Sequence, residues 1–394
     1  MKILLFSDAF PPFQSSASIQ LKDLTDQFLK DGHDVTVFTT SSEDHADNFL
    51  ELNKDLRIFR IKNPQTKNIN FIRRAFSELL IPITSIISFY KSPCSTEAFD
   101  GIIWYSPSIF FGIPIYLIKK KIGCKSYLIL RDIFPEWAMD IGHMNKGIIY
   151  YFFRFFENIQ YKAADTIGVQ SISNINYFKK NYPNELAKVE VLNNWLSEME
   201  YKKSTIDINN TSLSGRYIVI YAGNMGSAQK LENIANLAIE LKDNSEIGFI
   251  FLGDGDAKGS LQKIIKAKKC KNVLFFDSIP HSELSCLYKQ CNLGIISLDP
   301  KHKTYNIPGK LISYLINGLS IFALVNEGND LITINNDYNI GVVSTDADSK
   351  YLKNIFTKYY KINKYDEESS ERSKKVALEL FSSSSASNQI LSNF

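Results

Sequence analysis

Residues 217–226 read Tyr-Ile-Val-Ile-Tyr-Ala-Gly-Asn-Met-Gly, an unbroken apolar run that ends at closely spaced glycines. A short run rich in β-branched and aromatic residues, bounded by glycine, predicts a strand buried on both faces. Residues 231–241 follow it with their apolar side chains at helical spacing. The same alternation recurs along the chain and favours parallel α/β sheets. The other predicted strands are Ile3–Phe6, Val35–Phe38, Arg57–Ile61, Ile102–Tyr105, Ser126–Leu130, Thr166–Val169, Val189–Leu192, Ile247–Leu252, Val273–Phe276, Leu293–Ile296, Ile321–Ala323 and Gly341–Val343.

Two domains are expected, because polar residues dominate between Asn194 and Gly215 and divide the strands into two sets. The length of 394 residues agrees with roughly 150 residues per domain. The predicted fold class is α/β, with two Rossmann-like doubly wound domains facing each other, residues 1–194 and 195–372. We expect a C-terminal helix, residues 373–394, to complete the first domain, and the serine-rich stretch Ser382–Ser387 to be solvated. Ligand clefts are then expected at the carboxyl ends of the strands.

The composition excludes several classes of protein. Lysine and arginine total 45 against 42 acidic residues, a net charge of +3, so a dedicated nucleic-acid-binding protein is not expected. The five cysteines are odd in number and contain no C-x-x-C, and no signal peptide precedes the first strand, so we expect reduced thiols in the cytoplasm. The five histidines are scattered without metal-ligand spacing, and no metal site is expected.

The uncharged stretch Gly101–Ile118 has two interpretations. It approaches the length of a membrane-spanning helix, but prolines, serines and glycines interrupt it. We therefore prefer a buried strand, a turn and a buried helix that ends at Lys119-Lys120-Lys121.

Candidate phosphate-binding elements follow the strands of the second domain. Gly223 and Gly226 can bring bare backbone close to a phosphate. A predicted helix start at residues 305–310 adds helix N-terminal amides and the charge of Lys310, although a solvated lysine at a helix start is the simpler interpretation. Residues 253–259 lack the G-x-G-x-x-G spacing of dinucleotide-binding loops and carry two aspartates, which disfavours a dehydrogenase.

Candidate residues in the first domain lie in two loops. Residues 8–17 join the first strand to the first helix and suit either anion binding at the helix N-terminus or an ordinary connection. Residues 130–137 place two carboxylates and Arg131 after a buried strand. Asp132 is a candidate base, or it simply pairs with Arg131.

Together these pieces resemble the GT-B, family-4 retaining glycosyltransferases, and within them the bacterial O-antigen and capsule enzymes of the N-acetyl-fucosamine transferase type. The resemblance runs from Met1 to about Phe356. The motifs that carry it are Phe10-Pro11-Pro12, Arg131-Asp132-Ile133-Phe134-Pro135-Glu136, Asn193-Asn194-Trp195, the nine residues from Tyr221 to Gln229, Gly253-Asp254-Gly255, and Pro308-Gly309-Lys310-Leu311-Ile312-Ser313-Tyr314.

The chain departs from the family pattern at several positions. The two glutamates that the family carries eight positions apart fall at Tyr305 and Ser313, and its first-loop double glycine falls at Ser15-Ser16. Its basic pair falls near Asn224 and Gln229, and a frequent histidine is missing where Asp132 stands. Lys310 thus becomes the leading cation for a diphosphate.

The resemblance implies a metal-independent hexosyltransferase that uses no cofactor. The expected donor is a UDP-sugar, and the sugar is an N-acetylated 6-deoxyhexosamine such as N-acetyl-fucosamine. The acceptor is an undecaprenyl-diphosphate-linked saccharide in surface polysaccharide synthesis. The expected catalytic residues are Asp132 and Lys310. The expected nucleotide-sugar contacts are Ser16, Gly223, Asn224, Gln229, Gly253, Ser278, Ile279, Tyr305, Asn306, Pro308 and Ser313.

Two alternatives stay open at this point. The loss of the family glutamates at Tyr305 and Ser313 suits a catalytically inactive nucleotide-binding subunit. A sugar-nucleotide 2-epimerase shares the two-domain architecture, but its ring of carboxylates and histidines is poorly matched here.

A membrane surface is the last expected partner, which places the protein on the inner face of the cell membrane. Residues 70–83 mix Arg73 and Arg74 with an apolar run, and residues 146–162 set seven aromatic rings beside Lys146, Arg154 and Lys162. Such a mixture suits the interface of an anionic membrane, whereas the alternative is that both segments are buried helices.

Overall fold

The structure is a computed structural model that describes residues 1–13, 15–40, 49–53, 55–61, 71–106, 108–140, 144–196, 202–299 and 307–394. The chain divides into two compact units. The first comprises Met1–Trp195 and Ser383–Phe394, and the second comprises Leu196–Ser382.

The first unit is built on an eight-stranded sheet of order β3-β4-β2-β1-β5-β6-β7-β8. All neighbouring strands are parallel except β3 and β4, which pair antiparallel. Its strands are β1 (Lys2–Ser7), β2 (Asp34–Thr40), β3 (Phe49–Asn53), β4 (Leu56–Ile61), β5 (Gly101–Ser106), β6 (Lys125–Leu130), β7 (Thr166–Val169) and β8 (Val189–Val191). Its α-helices are α1 (Ser16–Lys30), α2 (Phe71–Lys91), α3 (Gly112–Ile122), α4 (Glu136–Asp140), α5 (Ile148–Ala163) and α6 (Ile172–Asn181), with 3₁₀ turns at Pro93–Thr96, Ile109–Phe111 and Pro183–Lys188.

The second unit carries a six-stranded, fully parallel sheet of order β11-β10-β9-β12-β13-β14. This order reverses between β9 and β12, which is the doubly wound arrangement. Its strands are β9 (Tyr217–Ala222), β10 (Ile247–Leu252), β11 (Val273–Phe276), β12 (Leu293–Ser297), β13 (Ser320–Leu324) and β14 (Gly341–Ser344). Its α-helices are α7 (Glu232–Glu240), α8 (Lys258–Ala267), α9 (His281–Tyr288), α10 (Gly309–Ile316), α11 (Asp330–Tyr338), α12 (Ser349–Asn363) and α13 (Ser369–Phe381), with 3₁₀ turns at Ile208–Asn210 and Ser227–Gln229. The last helix of the chain, α14 (Ser383–Leu391), belongs to the first unit.

The strands form where the sequence is apolar because each central strand is covered on both faces. All six residues of β5, β9 and β10 are buried. In the second unit, alternate residues of β9 divide between two cores, with Ile218 and Ile220 in one, Val219 and Tyr221 in the other. The expected α/β class, the two parallel sheets and every predicted strand are confirmed.

The strand β3 was missing from the sequence analysis. It pairs antiparallel with β4 at the edge of the sheet, from Phe49 opposite Arg60 to Asn53 opposite Leu56. Its sequence, Phe-Leu-Glu-Leu-Asn, is short and mixed, so it lacks the continuous apolar run that marks the central strands.

The end of the chain differs from the single helix expected over residues 373–394. Helix α13 belongs to the second unit, where Val376, Ala377 and Phe381 join the core that includes Leu311 of α10. The chain returns to the first unit only at Ser383.

The expectation of a solvated serine-rich stretch was wrong for part of α14. Ser383 and Ser387 are buried, and the Ser387 hydroxyl donates to Oδ2 of Asp31 at 3.2 Å. Ala386 and Ile390 pack in the core that contains Leu21 of α1. Small serines allow close helix packing here, and apolar counting alone could not reveal it.

The stretch Gly101–Ile118 forms a buried strand and the start of helix α3, as preferred over a membrane span. Within the described ranges, no helix combines the length and apolar character that crossing a bilayer requires.

Candidate active site

The second sheet opens at the carboxyl end of β9, where the strand order reverses. Strands β9 and β12 pair only from Leu293 opposite Val219 to Gly294 opposite Ile220. Beyond that, the ring of Tyr314 from α10 occupies the gap, and its hydroxyl accepts the N–H of Ala222 at 3.0 Å. The ring lies so close to Gly294 that an added Cβ there would be 2.4 Å from Cδ2 of Tyr314. This wedge fixes helix α10 against the end of β9.

Helix α10 carries Lys310 one turn before Tyr314 and places its ammonium over Gly223. A Cβ added at Gly223 would lie 2.8 Å from Cε and 3.2 Å from Nζ of Lys310. The Nζ atom also lies 5.0 Å from the centroid of the Tyr221 ring, within cation–π range. Burial lowers the pKa of Lys310 below its usual 10.5. The lysine forms no ion pair with any residue that the structure describes, so the site contains a partly desolvated cation without a counter-charge from those residues.

Gly223 and Gly253 allow the loops after β9 and β10 to touch. Both have a φ of +130°, and a Cβ at Gly253 would lie 2.2 Å from the carbonyl oxygen of Gly223. Their N–H groups already donate, Gly223 to the oxygen of Leu252 at 2.9 Å and Gly253 to that of Phe276 at 3.1 Å. These glycines therefore allow the two backbone loops to approach each other closely, whereas the sequence predicted that Gly223 brings backbone close to a phosphate.

A cavity of about 240 Å³ lies at this point, and it brings together five of the predicted binding residues and the predicted catalytic Lys310. These are Gly223, Gly253, Ser278, Ile279, Lys310 and Ser313. The remaining wall was not predicted from the sequence and consists of Ala222, Leu252, His281, Leu284 and Tyr288. Helix α9 supplies three of those residues, and its position beside the cavity depends on tertiary packing. Burial lowers the pKa of His281, which favours the neutral imidazole.

The aspartate-containing loop after β10 contacts the segment that places Ser278 in the cavity wall. Asp254 accepts the Ser278 N–H at 3.2 Å and the Ser278 hydroxyl at 2.5 Å. Lys258 lies 3.0 Å from Oδ1 of Asp254 and 2.5 Å from Oδ1 of Asp277. The bonds from Ser278 and Lys258 lower the pKa of Asp254 to about 2. The aspartates thus hold the segment that contains Ser278, in agreement with the rejection of a dinucleotide loop.

Several predicted binding residues lie elsewhere. The Asn224 amide nitrogen is 3.5 Å from Oε1 of Gln229, which also accepts the Gly226 N–H at 3.0 Å, so this pair closes its own loop and is absent from the cavity wall. Pro308 caps α10 and also lies outside that wall. Ser16 begins α1 in the first unit. Tyr305 and Asn306 lie outside the described residues.

The first unit places Asp132 directly after β6, at the carboxyl edge of its sheet. Arg131 is buried and donates to the carbonyl oxygens of Leu192 at 2.7 Å and Asn193 at 3.4 Å, with its guanidinium 4.6 Å from the centroid of the Trp195 ring. Arg131 is thus held by backbone and ring contacts, which weighs against the interpretation that Asp132 only pairs with it. Desolvation raises the pKa of Asp132, and the charge of Arg131 opposes that rise.

Comparison with known proteins places this geometry in context. No family model matches the chain. It is 25% identical to the protein named glycosyltransferase WbjE of Pseudomonas aeruginosa over 230 aligned residues. This alignment covers 57% of each chain. It is also 25% identical to the protein named colanic acid biosynthesis glycosyl transferase WcaI of Escherichia coli K12 over 234 aligned residues, an alignment that covers 56% of each chain. The chain is similar to bacterial glycosyltransferases. The matched region spans little more than half the length of these curated relatives.

The fold is shared over a longer stretch. Anabaena HepE, solved in complex with UDP, superposes with a TM-score of 0.67 at 13% identity, over 100% of this chain and 99% of that one. This likeness confirms the predicted pair of Rossmann-like domains, the GT-B fold. The N-acetyl-fucosamine transferase subgroup stays a prediction.

Proposed function

We propose that this protein is a retaining glycosyltransferase of surface polysaccharide synthesis. In this proposal it moves a sugar, an N-acetylated 6-deoxyhexosamine such as N-acetyl-fucosamine, from a UDP-sugar to an undecaprenyl-diphosphate-linked saccharide. Similarity to WbjE and WcaI supports the reaction class, and the fold shared with HepE in its UDP complex supports the donor class. The named relatives give no support to the epimerase or inactive-subunit alternatives.

The observation that carries the proposal is the ammonium of Lys310 over Gly223, beside a cavity at the strand reversal. A diphosphate bound there gains a charge-assisted contact with Lys310 and faces the N-terminus of α10, whose orphan N–H groups favour anions. As the bond from the sugar to the diphosphate breaks, negative charge grows on the leaving oxygen. A cation already in place stabilises that charge without reorganisation.

In this proposal the first unit binds the acceptor. In a same-face displacement the departing phosphate accepts the proton of the attacking hydroxyl, so no protein base is essential. Asp132 then orients or polarises the acceptor hydroxyl. The proposal needs neither a metal nor a cofactor, and we expect a chelator such as EDTA to leave turnover unchanged.

The surface of helix α5 supports a membrane-embedded acceptor. One face of α5 is buried through Tyr150, Phe153 and Tyr161. The other exposes large apolar side chains, with Ile148 at 91%, Tyr151 at 64% and Phe155 at 60% of full exposure. The alternative of a wholly buried helix is therefore wrong for α5. The other predicted membrane segment contains Arg73 and Arg74 of α2, whose side chains lie outside the described part of the structure. Exposed aromatic residues beside lysines suit the headgroup region of an anionic bilayer. We therefore propose peripheral attachment to the inner face of the cell membrane.

A donor screen tests the proposed function. Calorimetry with UDP, GDP and dTDP, followed by transfer assays with the preferred nucleotide's sugars and a lipid-linked acceptor, separates the alternatives. The expected result is UDP binding and sugar transfer only when acceptor is present. Conversion of the nucleotide sugar without acceptor indicates an epimerase, and binding with neither transfer nor donor hydrolysis indicates an inactive subunit.

A further inference from the structure

Glu157 of α5 is a carboxylate of the first unit with a side chain that is 0% exposed. The hydroxyls of Tyr161 and Tyr177 donate to its Oε1 at 2.9 and 2.8 Å, and that of Tyr182 donates to Oε2 at 3.0 Å. A carboxylate is buried at acceptable cost only when such donors and a cation surround it. Glu157 therefore has one well-determined position.

Arg154 links this fixed carboxylate to a second one. Its Nη1 lies 2.8 Å from Oε2 of Glu157 and 3.1 Å from Oε1 of Glu136. Its guanidinium also packs 4.9 Å from the centroid of the Tyr182 ring. The side chain of Arg154 is 21% exposed, so these contacts are only partly screened by water. Arg154 thus holds Glu136 to a buried anchor.

Glu136 is the first residue of α4 and directly follows the loop that contains Asp132. The same loop has a second attachment to α5, because the Phe134 ring stacks edge-on against Phe153 with centroids 4.8 Å apart. Tyr150 of α5 adds a hydrogen bond to Oε1 of Glu136 at 2.9 Å. Polar and aromatic contacts from one helix therefore fix the segment that carries Asp132.

We propose that Arg154 is a positioning residue for the acceptor: by holding Glu136 it fixes the geometry of the loop that presents Asp132. This inference rests on the proposed glycosyl transfer. We expect no role for Arg154 in donor binding, because the residues that line the cavity beside Lys310 all belong to the second unit.

The test compares Arg154→Met and Arg154→Lys with the wild-type chain. We expect kcat/KM for the acceptor to fall 10- to 100-fold in Arg154→Met, the scale of a small misplacement of reacting groups, while the Kd for UDP is unchanged. Lysine presents a single point charge instead of a planar fork, so Arg154→Lys should be intermediate. Arg154→Met/Glu157→Gln avoids an unpaired buried charge and should retain the acceptor defect with a higher Tm than Arg154→Met.

Two controls separate positioning from general stability. Tyr161→Phe removes a donor to Glu157 that does not touch Glu136, so it should lower Tm and leave acceptor kcat/KM near wild type. Glu136→Gln should reproduce the acceptor defect, and combining it with Arg154→Met should add little, because both changes break one contact. An Arg154→Met variant that matches Tyr161→Phe in acceptor kcat/KM overturns the inference, as does a UDP affinity that falls in parallel with kcat/KM.

Hydrogen exchange keeps this inference separate from the proposed function. Arg154→Met should speed the exchange of amides in residues 131–136 relative to wild type, and Lys179→Met, which changes an exposed lysine on α6, should not. If the wild-type chain transfers no sugar, the proposed function fails. Unchanged exchange in Arg154→Met shows instead that the loop does not depend on Arg154.

Discussion

Both units have charged residues near the carboxyl ends of their parallel strands, but the cations there have different partners. In the second unit, Lys310 stands over Gly223 with no carboxylate from the described residues beside it. In the first unit, Arg154 lies between the carboxylates of Glu136 and Glu157. A cation without a protein counter-charge favours an anion from solution, whereas a cation between two carboxylates is already satisfied and rigidifies its surroundings. The first arrangement suits binding and the second suits positioning.

The largest expected effect removes the unmatched cation. Lys310→Ala should raise the barrier of sugar transfer by roughly 2–4 kcal/mol, the usual loss when a preorganised charge donor is deleted. The measurement is kcat/KM with the preferred donor, beside Lys263→Ala, which removes an exposed lysine from α8. Near-normal turnover in Lys310→Ala would show that transfer does not depend on the charge of Lys310 and would remove the contrast between the two units.

The next effect concerns the close approach of the two glycine loops. Gly253→Ala should lower the free energy of unfolding by about 1–3 kcal/mol, because the new Cβ meets the oxygen of Gly223 and a positive φ is strained for alanine. UDP binding should weaken with it, as the loops that shape the cavity separate. Chemical denaturation and calorimetry measure both quantities.

The matched control is Gly259→Ala, near the start of α8. A Cβ there meets nothing within 4 Å, and alanine favours a helix over glycine by up to about 1 kcal/mol. The two glycines should therefore respond in opposite directions. Equal responses would show that the contact between the loops after β9 and β10 contributes little.

The sequence predicts the central strands because continuous apolar runs survive in any parallel sheet covered on both faces. The family resemblance implies Ser278 and Ile279 as donor contacts, and both line the cavity with Lys310 because loops at the carboxyl ends of parallel strands converge. The sequence could not reveal the Tyr314 wedge, whose only local sign is a glycine within a strand, Gly294. Nor could it find the wall from α9 or the contact of Glu136 with Arg154, which join residues distant in sequence through tertiary packing.

A smaller effect is expected in the first unit. Asp132→Asn should lower kcat for transfer by about tenfold, less than the 10²–10⁴ that an essential base supplies, because the departing phosphate accepts the proton. The Kd for UDP should stay the same, since Asp132 belongs to the first unit. Steady-state kinetics and calorimetry on the same preparation check this division. A large loss of UDP affinity would contradict it.

The pH dependence of UDP binding tests the charge of Lys310 directly. Burial lowers its pKa in the folded, unliganded protein, whereas a bound diphosphate favours the charged form and raises it again. Between those two values binding takes up a proton, so affinity should fall by up to about tenfold per pH unit as the pH rises through this window. Lys310→Arg keeps its charge across that range and should flatten the profile measured by calorimetry. A wild-type profile that parallels the arginine variant would assign the pH dependence to another group.

The smallest expected effect concerns the exposed face of α5, opposite the buried face that carries Glu157. Phe155→Ser should reduce binding to anionic vesicles by about fivefold, because one partly inserted ring contributes on the order of 1 kcal/mol. Leu378→Ser on α13 is the matched control, since both side chains are 60% exposed and only Phe155 belongs to the proposed membrane surface. Co-sedimentation at low and high salt measures both, and salt should weaken binding by screening the contribution of the basic residues. Replacing Arg73 and Arg74 with glutamate should weaken it further at low salt.

Equal losses in Phe155→Ser and Leu378→Ser would mean that general surface hydrophobicity drives vesicle binding. A wild-type protein that ignores anionic vesicles at low salt, and that acts equally well on a short water-soluble acceptor, would remove the membrane from the proposal and leave α5 as the support of the Asp132 loop alone.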